Sequence, residues 1–254
     1  VKREVKLFFH EQWQAFWVAV QFLTQFPVKL RTYPKVRVQA LSLLYYPLVG
    51  AFIGAVLMGI SWIMRDQSIY LQATLVLTAW VVLTGGLHLD GLADSADGWM
   101  GGLGDADRTL QIMKDPCTGA IGALALILIL MLKWSALVTL LPAGNLLPIM
   151  IASIMARLGA VALLSSTPYV RVQGIASVMI PLMPLKGIYA LVMIGALWLV
   201  WLNVIWLLVV SIVFWMARRA MLARIKGTTG DTAGALIEVL EALLLTVACF
   251  TLEV

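Results

Sequence analysis

The sequence predicts an all-α protein: a polytopic membrane helix bundle of about seven transmembrane helices with a short N-terminal interfacial helix. Three observations carry that expectation. Of 254 residues, 62% are hydrophobic and 12% charged, against roughly 45–50% and about 25% in an ordinary globular domain. The mean hydropathy is +0.96, so the apolar residues cannot all fit one core of this size and most must face lipid. They also fall into runs of spanning length separated by short polar segments. A water-soluble domain is excluded.

The stretch from Val1 to Arg37 carries Lys2, Arg3, Lys6, Lys29, Arg31, Lys35 and Arg37 around one apolar patch, Phe16 to Phe26, too short to span. It lacks a small-residue cleavage site and reads as an interfacial helix, not a signal peptide. Spanning runs follow at Leu43–Met64, Ile69–Leu87, Gly119–Leu141, Leu147–Ser166 and Thr232–Leu252. A longer run covers Gly187–Ala217. Its 31 residues would make a helix of about 46 Å against a hydrocarbon core of ~30 Å, which leaves a strongly tilted span or a hairpin turning near Leu202–Asn203. Basic residues choose between them, because Lys and Arg collect in cytoplasmic loops. With the N-terminus inside and a hairpin, segments 1–42, 88–118, 167–186 and 218–231 hold 15 of the 18 basic residues. A single long span would strand Arg218, Arg219, Arg224 and Lys226 outside. Seven spans in one integral-membrane catalytic domain, 1–254, are therefore expected, with 1–42 cytoplasmic or interfacial.

Cys117 and Cys249 are far apart, as are His10 and His88, so neither a disulfide framework nor a zinc site is indicated. The net charge of +5 hides a segregation. Asp90, Asp94, Asp97, Asp105, Asp107 and Asp115 stand against Arg108 and Lys114 alone, an acidic island that suggests a bound cation in an otherwise basic chain. At 100° per residue, Asp90, Asp94 and Asp97 fall within a sector of about 60° on one helical face. Like charges so placed raise one another's pKa unless a cation lies between them. Oxygen ligands without Cys suit Mg²⁺, which binds through one or two carboxylates plus substrate phosphates. The alternative is a solvated polar helix end. Gly91 and Gly98 are expected to leave room for substrate, and His88, on the far side, to be a structural hydrogen-bond partner. Asp231, in a Gly-containing turn that opens the last span, either caps that helix or borders a phosphate at its N–H groups. Glu238 lies seven residues on, on the same face, and needs an inward partner at that depth; Lys133 and Arg157 are the candidates.

The strings GGLHLDGLADSADG, DRTLQIMKD followed by Gly-Ala-Ile-Gly, and TGDTAGALIEVLE resemble the cobalamin synthase family, the adenosylcobinamide-GDP ribazoletransferases. FLTQFPV, YYPLVGAFIGA, Arg157 and Tyr169-Val170-Arg171-Val172-Gln173-Gly174 extend the resemblance almost end to end. The resemblance implies a transferase of cobalamin biosynthesis that joins adenosylcobinamide-GDP to α-ribazole or α-ribazole 5′-phosphate and releases GMP. It implies Mg²⁺ as cofactor and a plasma-membrane site facing the cytoplasm. Asp90, Asp94 and Asp97 become the metal and catalytic residues, Asp97 as a further ligand or as the base. Arg108, Lys114, Asp115, Arg157, Arg171, Gly230 and Asp231 are assigned to substrate. The partners implied are those small molecules and the lipid bilayer, with a homo-oligomer left open and no nucleic acid. Two alternatives stand beside this: an enzyme like the CDP-alcohol phosphotransferases, and a secondary transporter with carboxylate ion sites.

Overall fold

The computed structural model describes residues 2–30, 34–171 and 175–251; among these every regular element is helical, apart from one isolated parallel bridge between Tyr169 and Thr228. Helix α1 (Lys2–Leu23) has two faces, burying Ala15, Ala19, Val20 and Leu23 and exposing Phe8, Phe9 and Trp13. It begins well before the apolar patch that marks it in the sequence, and its mixed faces keep it out of the set of spanning helices. Helix α2 (Val36–Ser42), a 3₁₀ turn and α3 (Tyr46–Ile63) form a near-continuous 28-residue span, Val36–Ile63.

Helix α4 (Ile69–Thr84) ends at Gly85 and Gly86, whose φ of 64° and 68° lie in the left-handed region that glycine enters without a Cβ penalty. Helix α5 (Leu87–Gly101) departs from it at 86°. The apolar run expected to span, Ile69–Leu87, thus ends as a helix at Thr84, and the aspartates ride a second helix set at a sharp angle to it. The short α6 (Ala106–Ile112) follows, its first turn capped by Asp105, whose Oδ1 accepts from the Asp107 and Arg108 N–H groups.

Helices α7 (Ala120–Leu140) and α8 (Leu147–Ser166) are spans. Gly50 and Gly54 let α3 lie directly on α8; a Cβ at Gly50 would stand 2.4 Å from the Ser153 carbonyl oxygen. After the single-turn α9 (Ile175–Met179) come α10 (Leu185–Leu202) and α11 (Val204–Ile225). They part at Asn203, whose side chain accepts from the Ile205 N–H at 2.9 Å. The pair is the expected hairpin. Gly187, early in α10, meets Leu44, whereas Trp206, early in α11, donates to Thr251 at the opposite end of the bundle. Helix α12 (Gly230–Thr251) closes the bundle and with α8 forms its centre. Leu252, the expected end of that span, lies outside the described residues, as do Val172, Gln173 and Gly174.

Six of the described helices are long and apolar enough to cross a membrane, and the crossings number seven if the bent α4–α5 pair is one broken span. One end of the bundle collects the segments that the charge count put together. The Tyr169–Thr228 bridge joins 167–171 to the start of α12, Arg171 donates to the Met113 carbonyl at 3.1 Å, and Arg224 donates to the Trp99 carbonyl at 2.9 Å.

Candidate active site

The site forms where α5 crosses the first turn of α12. Gly91 permits the crossing: a Cβ there would sit 2.6 Å from the Asp231 carbonyl oxygen. Gly98 likewise lies against Met113 and Thr109. These two glycines therefore serve helix packing, which corrects the expectation that they admit substrate. The crossing sets Asp90 and Asp94, one turn apart on α5, beside Asp231 of α12.

Asp231 is not the cap of α12. Thr229 and Thr232 cap it reciprocally: the Thr229 N–H donates to Thr232 Oγ1 at 2.9 Å and the Thr232 N–H donates to Thr229 Oγ1 at 3.2 Å, as in a capping box. Asp231 is thereby left to pair with Arg171 at 2.5 Å. Arg171 reaches it from the 167–171 segment, which the Val170 N–H and Thr228 N–H zip to the 226–229 turn at 3.0 and 2.8 Å. Gly230 is exposed, with open space before it.

Asp97 faces another way. Its Oδ2 accepts from the Gly119 N–H at 2.7 Å and its Oδ1 from the Gly122 N–H at 2.8 Å, so it caps α7 and ties α5 to that span. Each oxygen accepts one N–H and keeps a second lone pair, so the geometry gives Asp97 a place in the packing of α5 on α7 beside its expected part as a further ligand or base. The exposed Arg108, Lys114 and Asp115 lie on the connection between α5 and α7, and Asp115 Oδ1 accepts from the Cys117 N–H at 2.9 Å. None of the three makes an ion pair among the described residues. Arg157 is a clear correction: it is fully buried and pairs with Glu241 in the middle of the bundle. There Lys133 bonds Glu238 and Glu241, each at 2.5 Å, and Trp80 Nε1 donates to Glu241 at 3.3 Å. Glu238 thus has the inward partner it needs, Lys133. Glu241 escaped the sequence reading, although its place three residues after Glu238, one turn along the same face, marks it.

Among the described residues the mouth has three carboxylates, Asp90, Asp94 and Asp231, against the guanidinium of Arg171. The excess shows at Asp94, whose pKa is pushed up to about 6 by burial and then by Asp90 and Asp231, with Arg171 opposing. Among the described residues no three His, Cys, Asp or Glu side chains converge tightly enough to hold a metal unaided. A two-carboxylate, all-oxygen donor set short of positive charge does fit Mg²⁺, which completes its shell with waters and phosphate oxygens. Beneath the Asp90–Asp231–Arg171 rim lies a cavity of about 240 Å³. His88 lines it, 3% exposed, and neither ring nitrogen has a hydrogen-bond partner among the described residues, which corrects its reading as a structural hydrogen-bond partner.

Residues 15–249 match the family model described as cobalamin-5-phosphate synthase. An adenosylcobinamide-GDP ribazoletransferase of Pseudomonas savastanoi pv. phaseolicola is 44% identical over 238 residues, covering 92% of this chain and 98% of that protein. One of Stutzerimonas stutzeri is 46% identical over 231 residues, 90% and 94% of the two chains. One of Pseudomonas fluorescens is 43% identical over 247 residues, 92% and 99%. No solved structure matches.

Proposed function

The chain belongs to the cobalamin-5-phosphate synthase family, and from that premise we propose how this end of the bundle performs the family's transfer. The enzyme joins adenosylcobinamide-GDP to α-ribazole or its 5′-phosphate, giving adenosylcobalamin or its 5′-phosphate and releasing GMP. A ribose hydroxyl of the ribazole attacks the phosphorus on the cobinamide side of the diphosphate, the hydroxyl proton leaves, and the bond to the GMP oxygen breaks. The family match and the relatives support neither the CDP-alcohol phosphotransferase reading nor the transporter.

The observation that carries the proposal is the meeting of Asp90 and Asp94 on α5 with the Arg171–Asp231 pair at the start of α12. Phosphoryl transfer between two anions is chiefly a matter of positioning and charge neutralisation. Asp90 and Asp94 would hold Mg²⁺, which supplies the positive charge that the diphosphate needs as its leaving oxygen becomes anionic. Arg171 contributes a planar donor for phosphate oxygens, and the α12 N-terminus adds its dipole. Asp97 is a positioning residue: by capping α7 it holds α5 at the angle that faces Asp90 and Asp94 toward α12.

The excess of Lys and Arg in the segments at this end favours a plasma-membrane enzyme with the site facing the cytoplasm. The apolar outer faces of α7, α10 and α11 suit the lipid bilayer and leave room for a homo-oligomer. The test is GMP release by purified protein in nanodiscs given adenosylcobinamide-GDP, α-ribazole and Mg²⁺. Release that needs both substrates and is abolished by chelation is expected; no release, or release indifferent to chelator, overturns the reaction or its metal respectively.

A further inference from the structure

The cavity beneath the site changes character with depth. Its rim is charged, with Asp90, Asp231 and Arg171, while its walls are Leu43 from the 3₁₀ turn before α3, Leu164 from α8, Met179 from α9 and Ile237 from α12. Apart from tyrosine hydroxyls, the deep part holds one polar side chain, His88, whose Nδ1 is buried without a partner. An unsatisfied buried polar atom costs about 1–3 kcal/mol. A ligand that satisfies it recovers that cost.

We propose that this chamber receives the heteroaromatic base of the ribazole and that His88 donates an N–H to the base's free ring nitrogen, an inference that rests on the transfer reaction proposed above. The base is a flat, fused, largely apolar bicycle with one ring nitrogen bonded to the ribose and one left as an acceptor. That inventory matches a chamber with apolar walls and a single donor. Guanine, the other base in the reaction, carries several donors and acceptors on its edge, and each would be stranded against leucine and methionine. A corrin ring is far too large for about 240 Å³.

The placement also orders the reactants. With the base seated inward, the ribose emerges at the Asp90–Asp231 rim, where its hydroxyl meets the diphosphate. His88 and Asp90 are two residues apart on α5, and Gly234 lets α12 lie against His88, a Cβ there standing 3.2 Å from the His88 Cα. One rigid crossing therefore fixes both the base and the carboxylates.

The test is titration of purified protein with α-ribazole and, separately, with adenosylcobinamide-GDP, alongside the GMP assay. Ala160→Leu pushes a side chain into the chamber from α8 and is expected to weaken α-ribazole at least tenfold, the order of effect of a mis-sized apolar pocket. Adenosylcobinamide-GDP should bind as before. His88→Leu removes the donor at similar bulk and should weaken α-ribazole about tenfold, with His88→Gln restoring part. Should Ala160→Leu lose both substrates, the His88 pair decides. Wild-type α-ribazole binding sensitive to these changes, without GMP release, would sink the reaction and keep the chamber. GMP release with α-ribazole affinity indifferent to both positions, or no α-ribazole binding by the wild type, overturns the chamber.

Discussion

Two charged clusters stand within this one helical bundle, and they are built on opposite rules. In the middle, Lys133 and Arg157 face Glu238 and Glu241, two charges of each sign, all buried and mutually paired. At the mouth, Asp90, Asp94 and Asp231 face Arg171 as their one cation among the described residues, in contact with solvent. The balanced cluster neutralises itself and, through Trp80, links α4, α7, α8 and α12. The unbalanced one is left wanting positive charge. Balance in the apolar core marks a structural clamp, and imbalance at its edge marks a place for a cation and phosphates.

The largest expected effect would come from breaking the clamp. Glu241 accepts from Lys133, Arg157 and Trp80 together, so Glu241→Gln leaves two buried cations facing Glu238 alone. Removing one partner of a buried pair costs about 3–5 kcal/mol, and the variant should lose folded yield in the membrane and most of its thermal stability in detergent. Normal stability would show that the clamp is dispensable and break the comparison at its first half. The mouth should respond in the reverse manner. Asp90→Asn and Asp94→Asn are each expected to lower kcat at least 10²-fold, about 2.7 kcal/mol of barrier, with melting temperature unchanged or raised because like charges are removed. A near-normal rate at saturating Mg²⁺ would take that residue out of the metal site.

The difference between the clusters also explains what could be read from the sequence. Spanning runs, the break at Asn203 and the shared face of Asp90 and Asp94 are local properties of hydropathy and helical period. The pairing of α5 with α12 through Gly91, the capping of α7 by Asp97 and the seat of Arg157 beside Glu241 depend on chain segments 22 or more residues apart. Composition records that a buried Arg must have a partner; only packing chooses which. The Gly85–Gly86 bend is an intermediate case. Both glycines are visible, but the turn is defined by the approach of Gln25, whose N–H donates to the Leu83 carbonyl at 2.8 Å.

A pH titration sharpens the second half of the comparison. Asp94 carries a folded-state pKa near 6, raised from 3.8, so its protonated form favours the fold, and that contribution is lost as pH rises through about 6. A cation binds the deprotonated form. The apparent Mg²⁺ affinity should therefore be flat above pH 7 and fall up to about tenfold per unit below 6, one proton being displaced per ion. Asp94→Asn should abolish that slope along with the activity, read as Mg²⁺ binding by calorimetry. A slope that survives the substitution would assign the proton to another group.

Arg171 supplies the smallest effect and the finest distinction, because it makes the one ion pair of the mouth among the described residues and could belong to either rule. Its guanidinium joins Asp231 at 2.5 Å and the Met113 carbonyl at 3.1 Å, which ties the 167–171 segment to α12 and to the end of α6. Were it a clamp like Lys133, its loss would cost several kcal/mol. Its side chain is 23% exposed and that of Asp231 20%, whereas the core pairs are almost wholly buried, so solvent screening holds the pair's structural worth to about 1 kcal/mol. A contact to phosphate oxygens that carry the same charge before and during the transfer gives mostly uniform binding energy, shared by ground and transition states. Arg171→Ala should accordingly raise KM for one anionic substrate several-fold, about 1 kcal/mol, with kcat little changed and melting within a few degrees of the wild type. Arg171→Lys, which keeps the charge and loses the planar fork, should recover part of that KM. An unchanged KM for both substrates, accompanied by a large drop in melting temperature, would move Arg171 from the unbalanced cluster to the structural one.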